Sequence, residues 1–141
     1  MNDDHLFKIA REESKEADYC GATAVSIGCI AVYHGTVLAK GHNSDKTHTV
    51  QKRYNKWRFK QIDGKYLPDK SHAEISVLSK IKYLDIDFSK VHLYVYREFA
   101  DGSPAMARPC KACLAAAEAL GIKNISYSTN GGYANERRTI K

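Results

Sequence analysis

Three side chains of the kind that bind zinc well, His72, Cys110 and Cys113, are spread over two distant parts of the sequence. They can serve one ion only if the chain brings the stretch His72-Ala73-Glu74 up against Pro109-Cys110-Lys111-Ala112-Cys113. That requirement constrains the fold more than any other feature. Cys110 and Cys113 stand at positions i and i+3, so on a helix both sulfurs lie on one face. At the start of that helix they also meet the positive end of its dipole, which favours thiolate over thiol. His72 and Glu74 are two apart and would point to nearly opposite sides inside a helix. They can share a site only if His72 sits at the very start of one, and Ser71 with the Pro68-Asp69 loop before it is compatible with such a start. Two helix N-termini are therefore expected to face one metal.

Three protein ligands leave a fourth tetrahedral position open, the mark of a working zinc rather than a structural one. Zinc lowers the pKa of a bound water from 15.7 to roughly 7. Glu74 is placed to take a proton from that water and pass protons on. A closed structural zinc would need a further ligand, for which His34, His42, His48 and His92 are the available histidines. A carboxylate beside His72 argues for the catalytic version.

H-x-E followed by P-C-x-x-C is the signature of zinc nucleobase deaminases. The chain resembles the cytidine deaminase-like superfamily, most strongly over residues 72–74 and 108–113. The resemblance implies hydrolysis of a cytosine nucleoside or nucleotide (cytidine, deoxycytidine or dCMP) to the uracil product, with Glu74 as the proton carrier and Zn2+ as cofactor. It further implies a substrate contact at Asn43, which closes Gly41-His42-Asn43, and one at Ala73; Arg108, beside Pro109, is a candidate for a phosphate or base contact. Relatives of this kind are mostly homo-oligomers. His72 resembles the deoxycytidylate and tRNA-type members, since free cytidine deaminases usually carry cysteine there, whereas the hairpin expected around Asn130-Gly131-Gly132 resembles the cytidine deaminase branch.

The 141 residues suit one domain, 1–141, with 43% hydrophobic and 27% charged residues. No apolar run reaches the roughly 20 residues of a membrane span, and the start lacks the layout of a secretory signal. The expectation is a cytoplasmic protein with no membrane partner, its cysteines reduced or metal-bound. Cys20 and Cys29 sit in apolar surroundings and read as buried thiols. A net charge of +6 permits nucleic-acid binding without demanding it. Residues 51–60 are basic and aromatic, so their lysines and arginines could hold phosphate while Tyr54, Trp57 and Phe59 stack on bases; a solvated loop is the plainer reading. Deamination of a base within single-stranded DNA or RNA is thus the second reading, and a zinc-stabilised binding module without turnover the third.

Periodicity predicts an amphipathic helix over 3–19 with Leu6, Ile9, Ala10, Glu13 and Ala17 on one side, ended by Gly21. A strand over 25–33, a turn at His34-Gly35 and a strand over 36–41 form a hairpin. A short helix over 50–58 sits in the long connection. Then come a buried helix over 72–84, a strand over 91–96, a loop over 98–108 and an alanine-rich helix over 110–120 closed by Gly121. Strands over 122–128 and 133–139 complete the chain. The sum is a three-layer α/β/α sandwich with a five-stranded mixed sheet whose last two strands are antiparallel.

Overall fold

The computed structural model describes residues 3–15, 26–42, 73–98, 102–109 and 112–137, and the backbone of 61–62, 65–66 and 111. Cys20, the end of the first expected helix, the expected helix over 50–58 and the basic aromatic stretch 51–60 lie outside the described residues. So do His48 and Ser71, and the end of the last expected strand beyond Arg137.

Helix α1 spans Asp3–Ser14 and opens with Asp3 and Asp4, which complement its dipole. Its buried face is Leu6, Phe7, Ala10 and Ser14, with Ile9 half-buried against the same core, so Phe7 joins the inward residues that periodicity named. The reason is a partner the local sequence does not contain. Phe7 meets Tyr94 edge-on at 5.3 Å and stacks on Tyr133 at 4.1 Å between ring centroids.

Strand β1 (Ile27–Tyr33) turns back into β2 (Thr36–His42) through His34 and Gly35, whose φ values of 51° and 79° suit a tight hairpin turn. A two-residue pair, β3 (Gln61–Ile62) and β4 (Lys65–Tyr66), stands apart from the main sheet. Helix α2 covers Ala73–Ile81 and buries Ala73, Glu74, Ile75, Val77, Leu78 and Ile81. Strand β5 (Val91–Glu98) follows, then the short β6 (Pro104–Ala105) and helix α3 (Lys111–Leu120). Gly121, with φ at 100°, ends α3; its N–H and that of Ile122 both donate to Ala117 O, as expected for a left-handed cap. Strands β7 (Asn124–Thr129) and β8 (Gly132–Arg137) close the fold.

The sheet order is β2-β1-β5-β7-β8, with β6 pairing against the end of β5. Only β5 and β7 run parallel, and α3 makes the crossover between them; β8 returns antiparallel to β7. The five long strands match the sequence expectation, and the sixth is the two-residue β6 inside the stretch read as a loop. Alternating residues of the central strands feed two cores. Ile30, Val32, Tyr94 and Tyr96 pack with Leu6, Phe7 and Ala10 of α1. Cys29, Ala31, Leu93, Val95, Ile125 and Tyr127 pack with α2 and α3. Helices on both faces of one sheet make three layers.

Two glycines set how closely the layers approach. A Cβ on Gly28 would lie 2.1 Å from Ala10 O and 2.6 Å from Ser14 N, so α1 rests its backbone on β1. A Cβ on Gly41 would come within 2.8 Å of Ser76 Oγ and 3.0 Å of Val77 Cγ2 in α2. Lys80 Nζ also donates to Lys40 O, tying α2 to β2. Because Ala10 O and Ser14 N are backbone atoms, they cannot swing aside. Gly28→Ala should cost about 1–3 kcal/mol through overpacking, read as a lowered urea midpoint with the slope unchanged. Wild-type stability in that variant would show that α1 does not sit as closely as described.

Candidate active site

Helices α2 and α3 lie on the same face of the sheet and touch each other. Helix α2 begins at Ala73, the residue after His72, and α3 begins at Lys111, the residue after Cys110. His72, Cys110 and Asn43 lie outside the described residues. The described members of the motifs are Ala73, Glu74, Arg108 and Cys113. Ala73 is fully buried, and Glu74 and Cys113 are 5% and 1% exposed.

Glu74 sits in the first turn of α2, where the helix dipole favours a negative charge. Its charge is felt by Cys29 on β1. Burial pushes the Cys29 thiol well above its usual pKa, and the Glu74 carboxylate pushes it further the same way. Cys29 is a buried free thiol, as its apolar setting in the sequence suggested. Cys113, the third residue of α3, is buried in the same core as Ala73 and Cys29.

The approach to α3 is held by β7 rather than left loose. Ala107 N–H donates to Ser128 O at 2.8 Å, Met106 N–H to Asn130 Oδ1 at 3.0 Å, and Gly131 N–H to Pro104 O at 3.0 Å. The fully buried Ser128 hydroxyl donates to Ala105 O at 2.6 Å and accepts from Arg97 N–H at 3.0 Å. Residues 104–107 thus run as a pinned ribbon that delivers Arg108 and buried Pro109 to the head of α3. Sequence reasoning took this stretch for a loop, since its bonds go to residues more than twenty positions away. Arg108 itself is paired: Nε donates to Glu136 Oε1 at 2.6 Å and Nη2 to Oε2 at 3.3 Å. Glu136 was not singled out from the sequence.

Of the histidines considered for a closed metal site, the described ones, His34, His42 and His92, are engaged elsewhere. His42 Nδ1 lies 2.7 Å from Glu13 on α1, and His42 pairs with Gly28, whose side faces α1. His92 Nε2 lies 2.6 Å from Ser126 Oγ and its ring stacks on Tyr94, again on the α1 side. His34 is in the β1–β2 turn against Tyr33. Among the described residues no three His, Cys, Asp or Glu side chains gather as a metal cluster, and the two helix-head ligand candidates His72 and Cys110 are not among those residues. Thiolates plus one imidazole are the donor set zinc favours, and a buried carboxylate beside an open fourth position suits hydrolysis; these residue types fit the ion.

Residues 1–129 match the family described as the cytidine and deoxycytidylate deaminase zinc-binding region. The chain belongs to that family. Its members are zinc-dependent hydrolytic deaminases of cytosine compounds, and zinc is their cofactor. Among solved structures, the fold is similar to that of a cytidine deaminase from Burkholderia pseudomallei, at TM-score 0.64 and 18% identity over 97% of this chain and 93% of that one. It is also similar to a dCMP deaminase from the cyanophage S-TIM5 in complex with dCMP and dUMP, at TM-score 0.57 and 20% identity over 90% of this chain and 82% of that one. The apo form of the cyanophage enzyme gives a TM-score of 0.59 at the same identity. No curated protein matches the chain in sequence. At these identities the structural likeness establishes the fold, a three-layer deaminase sandwich. Among the described residues no helix is long and apolar enough to cross a membrane.

The ribbon makes Ser128 the residue on which the approach to α3 turns. Ser128→Ala would leave Ala105 O and Arg97 N without the hydroxyl, a loss of about 1–3 kcal/mol for buried polar groups left unmade. Urea unfolding checks this, and an unchanged midpoint would show the ribbon held by its backbone bonds alone.

Proposed function

We propose that the protein hydrolyses the exocyclic amine of cytosine in a nucleoside or nucleotide, giving the uracil product and ammonia. His72, Cys110 and Cys113 hold the zinc, Glu74 moves the protons, and Asn43, Ala73 and Arg108 contact the substrate. The observation that carries this reading is the burial of Glu74 and Cys113 at the heads of two touching helices on one face of the sheet. Each stands two or three positions from its undescribed motif partner. The cyanophage enzyme similar in fold was solved with dCMP and dUMP, a cytosine compound and its uracil counterpart, which supports the same base conversion here.

When bound, zinc supplies the electrophile that acidifies water and accepts developing negative charge. Glu74 takes one proton from the attacking water and delivers it to the ring nitrogen, then takes the proton of the added hydroxyl and delivers it to the leaving amine. The water oxygen adds at the ring carbon, the carbon–nitrogen bond to the amine breaks as the carbonyl forms, and ammonia leaves with the second proton while the first stays on the ring nitrogen. Burial of Glu74 keeps bulk water from competing for those protons, and its place in the first turn of α2 sets it at the positive end of the helix dipole. The protein is taken to act in the cytoplasm as a homo-oligomer.

The test loads the protein with zinc and follows cytidine, deoxycytidine, their monophosphates, single-stranded DNA and tRNA by mass spectrometry. A small cytosine compound should gain the mass change of amine to carbonyl. Glu74→Ala should keep its zinc and lose turnover by about 10²–10⁴-fold, the usual share of a general acid–base. Cys113→Ala should lose zinc, read by atomic absorption. Wild-type turnover in Glu74→Ala would remove its role. Conversion confined to polymer would replace the small substrate with a nucleic acid and make residues 51–60 its binding stretch.

A further inference from the structure

Arg108 stands immediately before Pro109 and the head of α3, and its charge is already matched. Two of its five N–H donors meet both oxygens of Glu136, fork to fork, at 2.6 and 3.3 Å. The Tyr127 hydroxyl donates to the same Oε1 at 2.8 Å, which fixes the carboxylate from a second side. Glu136 comes from β8, on which alternate residues face opposite ways. Ala134, two positions before it, packs with the core that holds α2, α3, Ala73 and Cys113, whereas Tyr133 stacks on Phe7 across the other face. Arg108, Glu136 and Tyr127 therefore belong to the side of the sheet that carries Glu74. The pair is partly open to solvent, with side-chain exposures of 47% for Arg108 and 27% for Glu136.

An arginine beside the motif would ordinarily be read as a phosphate clamp. Here a 5′-phosphate reaching that guanidinium would arrive within contact range of a carboxylate, and like charges so placed repel. Selection against a wrong ligand by such a repulsive group is a general device of specificity. We infer that Glu136 decides the phosphate state of the substrate: by neutralising Arg108 it makes this a site for the uncharged cytosine nucleoside and disfavours the 5′-monophosphate. Arg108 then acts through its three remaining N–H groups as an oriented donor to uncharged oxygen atoms. Glu136 is a positioning and specificity residue that touches no reacting atom. The inference rests on the deaminase reading above and narrows its substrate.

The experiment compares kcat/KM of the zinc-loaded protein for cytidine and deoxycytidine with that for their 5′-monophosphates, in the wild type, Glu136→Gln and Glu136→Asp. Calorimetric binding of uridine and uridine 5′-monophosphate to the same proteins gives a readout independent of turnover. The wild type should favour the nucleosides by at least about tenfold, in keeping with the cost of like-charge contact. Glutamine keeps the shape and drops the charge, so it should cut that preference about tenfold and tighten uridine 5′-monophosphate. Aspartate keeps the charge and should keep the preference, a contrast that a merely structural role would not produce. A wild type that deaminates the monophosphate in preference overturns the inference and leaves the deaminase reading standing, whether or not the variants fold. Equal losses on all substrates in both variants, with the ratio unmoved, overturn it as well. Failure of the wild type to convert any cytosine compound removes the deaminase reading, and the inference falls with it.

Discussion

The structure depends on β1 meeting α1 at backbone distance on one face while the β1–β2 hairpin packs closely on α2 on the other. Gly28 faces α1 so closely that no side chain fits, and its neighbour Cys29 faces α2 on the other side. Gly41, paired with Cys29 across the hairpin, gives α2 the same freedom to approach. The consequence reaches the site directly. A helix seated against β1 and β2 at Gly41 has its head fixed relative to the sheet, and that head carries Ala73 and Glu74. Small residues in the strands thus let α2 seat closely enough to bury the Glu74 carboxylate, since a looser layer would admit water around it.

Much of this was legible in the sequence because the determinants are local. Val25 to Tyr33 is apolar almost throughout, as a strand covered on both faces must be, and the structure covers Ile27–Tyr33 with α1 on one side and α2 on the other. Turn chemistry at His34-Gly35 and Asn130-Gly131, and the glycine after α3, placed the hairpins and the helix end. Glu74 and Cys113 were legible for the same reason, since their spacing from neighbouring ligand candidates is a property of one helix turn each.

What was not legible is held by contacts between distant positions. Phe7 joins Ile9 and the other inward residues of α1 because Tyr94 and Tyr133 await it, and no window of the helix contains them. Residues 104–107 look like a loop around Gly102-Ser103-Pro104, yet Ser128 and Asn130 supply their partners. The pairing of Arg108 with Glu136 spans 28 positions and depends on β8 folding back beside β7. Reading Arg108 from its sequence neighbours alone gives an unopposed positive charge, and the sheet supplies the opposing one.

That division between local and distant determinants bears on how one fold serves two kinds of substrate. The family's description joins cytidine with deoxycytidylate, compounds that share the base and differ in the 2′-hydroxyl and the phosphate. Deaminating the base needs a metal, a proton carrier and shielding from water, which the proposed function assigns to residues of the two motifs. Phosphate lies at the far end of the substrate, and whatever accepts or refuses it must come from other elements. Among the described residues β8 pairs with β7 at the end of the sheet order, away from the central strands. A single carboxylate on that strand, held by Tyr127 and set against an arginine beside the catalytic helix, is enough to reverse what the arginine would otherwise attract. In the proposed reading the chemistry is set where the helices meet, and the choice of substrate at the border of the sheet.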